Sequence, residues 1–201
     1  MKKLLGILVL SLLWCNVGIA DAISEYEMAG AKLKISILEI MTVDQIEENI
    51  MGKNSYDPKY FQIKYVPDIT KYQNLDFNEY YLTVDSSDEI YPIVSVMAIK
   101  WFKTDFDACI KEQNIYSNKF ERIFGIKKEV HPIKDFSDKY GPGSKWRAII
   151  YERPNYQKIK SNTASILCYH YGTSPENDFF GGDNLKINIH TREFADAITI
   201  K

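Results

Sequence analysis

The sequence predicts an α+β fold: an antiparallel sheet of about six strands with helices packed on one face, in the order α-βββ-α-βββ-α. Three observations predict it. Apolar and polar residues alternate with a period of two in several short runs, as in strands with one wet face. Two helix starts, Thr42-Val43-Asp44-Gln45 and Thr104-Asp105-Phe106-Asp107, carry capping residues. The strands fall into two groups rather than alternating singly with helices, so the βαβ rhythm of a parallel sheet is missing.

The first element is a leader. Lys2 and Lys3 precede an apolar run from Leu4 to Trp14, and the small residues Gly18 and Ala20 follow it, the pattern of a cleavable signal peptide. The run is shorter than the roughly 20 apolar residues that span a bilayer. Residues 1–20 are therefore expected to be removed, with Ala22 offering an alternative cut. What remains, residues 21–201, has no internal repeat and no Gly/Ser linker, and reads as a single domain. Asn16 interrupts the apolar run early, which argues against an uncleaved anchor. Trp14 is too bulky beside Cys15 for lipidation.

Thr42-Val43-Asp44-Gln45 has the form of a capping box and predicts a helix to about Met51, ending at Gly52. Ile37 to Met41 before it form one apolar turn packed onto the core. Phe61, Ile63 and Tyr65 alternate against Gln62 and Lys64 as the first strand, which Pro67 ends. Tyr80, Leu82 and Val84 form the second. Ile90 to Phe102 is apolar on both sides and is expected to be central. Asp105 and Asp107 sit in a first helical turn, where capping and the helix dipole account for both carboxylates. Phe106, Cys109, Tyr116, Phe120 and Ile123 continue at helical spacing to Gly125. His131 to Ser144 is read as a surface loop, with Gly141-Pro142-Gly143-Ser144-Lys145 as a turn. That stretch lacks the Gly-Lys-Ser/Thr ending of a phosphate loop and leads into a strand. Trp146 to Tyr151, Ala164 to Tyr171 and Leu185 to His190 are the closing strands, and a short helix follows Thr191.

Removing Lys2 and Lys3 from 25 basic residues leaves 23 against 27 acidic ones, a net charge of −4. This balance disfavours nucleic acid and anionic lipid as partners, since both recruit basic patches. No stable membrane insertion is expected after cleavage.

Cys109 and Cys168 are the two cysteines left once Cys15 departs with the leader. In an oxidising compartment they are expected to form a disulfide. Cys109 shares the helix stripe of Phe106 and Tyr116, and Cys168 shares a strand face with Ala164 and Ile166.

Of the three histidines, His170 and His190 lie on strands expected to pair as a hairpin, about four residues or roughly 13 Å apart. His131 lies in the loop before Pro132. That spacing argues against a metal site, and no cofactor is expected. Motifs of serine, Ser-x-x-Lys and zinc hydrolases are missing, so no catalytic residue is assigned. The polar stretch Ser174 to Asn184 carries Glu176, Asp178 and Asp183 around Phe179 and Phe180. The acidic residues lack the alternating spacing of a calcium loop. The Phe pair either tucks onto the sheet or forms a binding surface.

The leader MKKLLGILVLSLLWCNVGIA and the stretch Ser36-Ile37-Leu38-Glu39-Ile40-Met41-Thr42, followed by an Ile-rich capped helix, resemble small exported proteins of AT-rich marine alphaproteobacteria. In that family the equivalent stretch reads Gly-Asp-Ser-Leu-Leu-Asp-Tyr-Met; here Lys34 and Ile35 stand in place of the Gly-Asp pair. The family also has one cysteine after the third strand and another in a strand near the end. The resemblance covers most of the mature chain. It implies export and the two cysteines, and brings no catalytic residue.

The sequence reading is thus a periplasmic, non-enzymatic binding or envelope-accessory module that contacts an unknown protein or small-molecule ligand. The alternative is a hydrolase of unrecognised type using His170 or His190 as general base. Expression in a bacterium with a working secretion pathway should yield a periplasmic product beginning at Asp21 or Ile23. An intact mass retaining Met1, or a lipid on Cys15, would contradict the leader reading.

Overall fold

The computed structural model describes residues 22–54, 57–72, 75–136, 140–151, 162–172 and 182–199. The leader, Cys15 and the Phe179–Phe180 pair lie outside the described residues. Among these residues the fold is α+β, with one antiparallel eight-stranded sheet and three α-helices. A 3-10 turn at Ile37–Glu39 precedes helix α1 (Val43–Asn49), strands β1 (Ile50–Lys53), β2 (Tyr60–Tyr65), β3 (Glu79–Asp85) and β4 (Ile93–Trp101), and helix α2 (Phe106–Phe124). Strands β5 (Lys128–Asp135), β6 (Lys145–Tyr151), β7 (Thr163–His170) and β8 (Asn184–His190) follow, and helix α3 (Arg192–Thr199) comes last. The strand order is β1-β2-β3-β4-β8-β7-β6-β5. Two four-strand meanders therefore meet where β8 pairs with β4.

Two strands exceed the expected six. Ile50 and Met51 continue the apolar pattern of α1, but the chain turns extended at Ile50 and pairs with β2. The region from His131, expected to be a loop, supplies most of β5. Pro132 is tolerated there because β5 is an edge strand and its register shifts between His131 and Lys134.

The capping expectations are met. Thr42 and Gln45 form the reciprocal capping box of α1. Asp105 accepts the amide of Ala108 at 2.9 Å, and Gly125 closes α2 in the left-handed region at φ 64°. The turn at 141–144 leads into β6, with the Ser144 hydroxyl buried between Tyr140 O and Gly172 N.

Helix α2 covers one face of the sheet, chiefly over β7 and β8, and buries Phe106, Cys109, Gln113, Tyr116, Phe120 and Phe124. The other half of this face lies under the N-terminal segment, which buries Ile23, Met28, Leu33 and Ile37 in the same core. Gln113 is fully buried, and its side-chain amide donates to Ile166 O at 2.7 Å and Arg147 O at 3.1 Å while its oxygen accepts from Arg147. The Tyr151 hydroxyl reaches Ser117 O at 2.9 Å. Cys109 and Cys168 meet beneath the helix, both fully buried, with sulfurs at 2.12 Å and Cα atoms 6.0 Å apart.

The expectation that all helices share one face is corrected by α3. Its Phe194 packs edge-on against Tyr60 at 4.9 Å and joins Val94 in a small cluster separate from the main core. Alternation sets Tyr60 opposite the core residues Ile63 and Tyr65, and a register shift between Ser95 and Ile93 turns Val94 to the same side, so α3 caps one end of the face opposite α2.

The bridge joins residues 59 apart in sequence. Restricting the unfolded chain in this way stabilises by about 4 kcal/mol in the chain-entropy account. The Cys109→Ala/Cys168→Ala double variant should lose stability of that order in urea unfolding. Wild-type protein treated with reductant should follow it. Unchanged midpoints in both would show that the bridge contributes nothing.

Candidate functional site

Strand register lays out the far face as rows across β5–β6–β7–β8–β4. One row runs Lys134, Trp146, Tyr169, Asn184, Trp101. The next runs His131, Ala148, Leu167, Lys186, Ile99, Glu79. A third holds Ile150, Ser165, Asn188, Met97 and Tyr81. Trp101, Trp146, Leu167, Tyr169 and Lys186 are only half-buried. Large apolar side chains thus stand at adjacent positions with part of their surface in solvent.

Over β5, β6 and β7 this face sinks into a groove of about 430 Å³. Ala148, Ile150 and Leu167 line it together with the rings of Trp146, Tyr169 and Phe136. His131 and Lys134 of the edge strand form its outer rim. The Phe136 ring contacts Tyr169 at 5.9 Å and Tyr140 at 4.7 Å, so the aromatic end is held ring to ring. Burial pushes the Tyr169 phenol up to about 12, which keeps it a neutral hydrogen-bonding group. This concavity has the size and apolar character of a small-molecule site. Residues 146, 167 and 169 each belong to an expected strand, but only the order β5-β6-β7-β8 makes them one surface.

A smaller hollow of about 130 Å³ lies between the N-terminal segment and α2. There the Tyr116 hydroxyl donates to Asp76 at 3.0 Å, beside Tyr26 and Lys119.

The three histidines are dispersed. His131 is on β5 rather than in a loop, with Nε2 3.2 Å from Glu129 and its ring 6.3 Å from Trp146. Thr163 is the register partner of His190, and Asn184 that of Tyr169. His170 and His190 are therefore seven residues apart along the ladder, about 23 Å, rather than four. They also point to opposite faces: His170 packs on Phe106 of α2, and His190 on Phe194 of α3. Among the described residues no three His, Cys, Asp or Glu side chains converge on a common point.

His170 does meet a carboxylate. Its Nδ1 lies 2.8 Å from Oδ1 of Asp183, a residue expected in an acidic surface loop but in fact fully buried. Burial raises the Asp183 pKa against the opposing pull of His170. Oδ2 of Asp183 is buried without a hydrogen-bond partner among the described residues. This disposition orients the ring and leaves Nε2 as the atom available for proton transfer. Neither of the two cavities is lined by His170 or His190.

His190 sits under α3. Nδ1 bonds the Ser95 hydroxyl at 2.8 Å beneath Phe194, and burial pushes its pKa down from 6.5 to about 4. The unfolded chain binds this proton near 6.5 and the folded chain only near 4. Stability is therefore full above 6.5, falls as pH drops through this window and levels off below about 4. The loss is at most about 3 kcal/mol. His190→Gln should unfold in urea with a smaller difference between pH 7 and pH 4.5 than wild type. An equal acid loss in both proteins would contradict the assignment.

Searches for similar proteins found no matching family model, no matching curated protein and no matching solved structure.

Proposed function

We propose that this protein is an exported binding module whose ligand site is the aromatic groove on the far face of the sheet, over β5–β7. The observation that carries the reading is the groove itself: about 430 Å³ lined by half-buried apolar and aromatic side chains on hydrogen-bonded strands. Rigid strands hold those side chains in place before a ligand arrives, which lowers the ordering cost of binding. A small molecule with a planar or apolar body fits this lining. The leader pattern and the Cys109–Cys168 bridge support a periplasmic location, because such bonds persist in oxidising compartments. No described helix is long and apolar enough to cross a membrane.

A second reading, hydrolysis with His170 as general base oriented by Asp183, is favoured by their 2.8 Å contact. The position of Asp183, enclosed at the junction of β4 and β8 where its amide bonds Lys103 O and its carbonyl accepts from Phe102, equally serves to lock that corner. The binding reading is preferred because the concavity lies on the other face from this pair.

The mature protein should bind the neutral fluorophore N-phenylnaphthylamine saturably. Trp101 and Trp146, the two tryptophans of the mature sequence, stand in one row of the far face, so their emission should be quenched in step. Leu167→Glu, which sets a charge on the groove floor, should weaken binding about tenfold or more, equivalent to about 1.4 kcal/mol. A melting temperature near wild type would confirm that the variant is folded. Non-saturable uptake, or equal affinity in a folded variant, would refute the site.

A further inference from the structure

We infer that the groove selects anions, with Lys186 as the side chain that anchors the ligand's negative group while the aromatic lining holds its apolar body. The inference rests on the groove reading above and names the chemistry of its ligand.

Lys186 stands on β8, one strand inward of the groove lining and next to two of its residues, Leu167 and Tyr169. Its register partner on β7 is Leu167, on the groove floor, and its partner on β4 is the buried Ile99. Its ammonium lies over the ring of Tyr169 at 5.2 Å. Among the described residues, no carboxylate comes within 4.0 Å of Nζ and no acceptor hydrogen-bonds to it. The carboxylate whose field reaches it is that of Glu79. Both Glu79 oxygens are engaged elsewhere: Oε2 accepts from the Tyr81 hydroxyl at 2.6 Å, and Oε1 lies 3.5 Å from Lys64 Nζ.

A cation held among apolar side chains without a counter-ion is costly, and burial lowers the Lys186 pKa accordingly. The cost is recovered when an anion arrives, and the attraction is strong because the surroundings are poorly solvated. Other lysines of the sheet are used differently. Lys100 pairs with Glu112 at 2.7 Å and Lys128 with Glu121 at 2.9 Å, tying α2 to the opposite face. At the outer rim, His131 Nε2 lies 3.2 Å from Glu129 without a hydrogen-bond partner among the described residues, and Lys134 is exposed. Strands β5 and β8 are three sheet spacings apart, about 14 Å. A ligand of two or three fused rings bearing one sulfonate, carboxylate or phosphate spans the aromatic lining and reaches Lys186 with its charge.

The test uses two probes with the same aromatic body, anilinonaphthalene sulfonate and neutral N-phenylnaphthylamine. Wild-type mature protein should bind the anion about tenfold tighter, and added salt should narrow the gap. Lys186→Met, which keeps the apolar stem, should bring the two affinities together while leaving that of the neutral probe unchanged. Lys186→Arg should keep the preference. Equal affinities in wild type, or an undiminished preference in Lys186→Met, would overturn the anchor and leave the groove standing. Failure of both probes to bind would overturn the groove and the anchor with it.

Discussion

Helix α2 is fixed to the sheet at points that do not permit it to slide, and the rest of the architecture depends on this. The Cys109–Cys168 bond ties its first turn to β7. One turn on, Gln113 bonds the backbone of β6 and β7, and after another turn Ser117 receives Tyr151. These contacts decide topology as well as stability. The chain leaves the sheet at β4 and must re-enter at the far edge, β5, before working back inward to β8. Four strand spacings separate β4 from β5, about 19 Å. A helix of 19 residues, about 28 Å long, crosses that span on a diagonal. Pinning it over β7 and β8 holds the returning meander against β4.

This arrangement divides labour between the faces. Stabilising apolar burial is concentrated beneath α2 and the N-terminal segment, where Leu82, Val96, Ile166 and Ile187 are sealed from solvent. On the far face, among the described residues, α3 covers the end near Tyr60 and Val94. The groove lies over the half of the sheet that α2 staples from behind, so its strands gain rigidity without being covered by any described helix. An apolar lining beside an ammonium that has no ion partner among the described residues is poor design for a surface that meets only water, since both features cost free energy there. They become favourable together when an amphiphilic anion occupies the groove.

The sequence displayed the elements that face the core and obscured those that do not. Alternation in Leu185-Lys186-Ile187-Asn188-Ile189-His190 placed its odd residues inward, as found, because the α2 side of β8 is fully buried. Strand β5 was invisible for the opposite reason. An exposed edge strand has no apolar face to write into the chain, and Pro132 together with charged neighbours reads as loop even though charge and proline suit an edge. The end of α1 was overrun because Ile50 and Met51 satisfy helix and strand patterns alike. The groove was not legible since its residues sit on three separate strands, and Asp183 looked like part of an acidic loop until register set it against His170. Periodicity reports which way a residue points; strand order decides what it points at.

The central claim is that the face opposite the stapled helix is the ligand face. Amide NMR of the isotope-labelled mature protein, titrated with anilinonaphthalene sulfonate, tests it most directly. The account predicts saturable shifts at Trp146, Leu167, Tyr169 and Lys186, with Gln113 and Ser117 of α2 unmoved. Shifts centred on α2 or on the hollow around Tyr26 and Tyr116, or scattered over both faces, would contradict it.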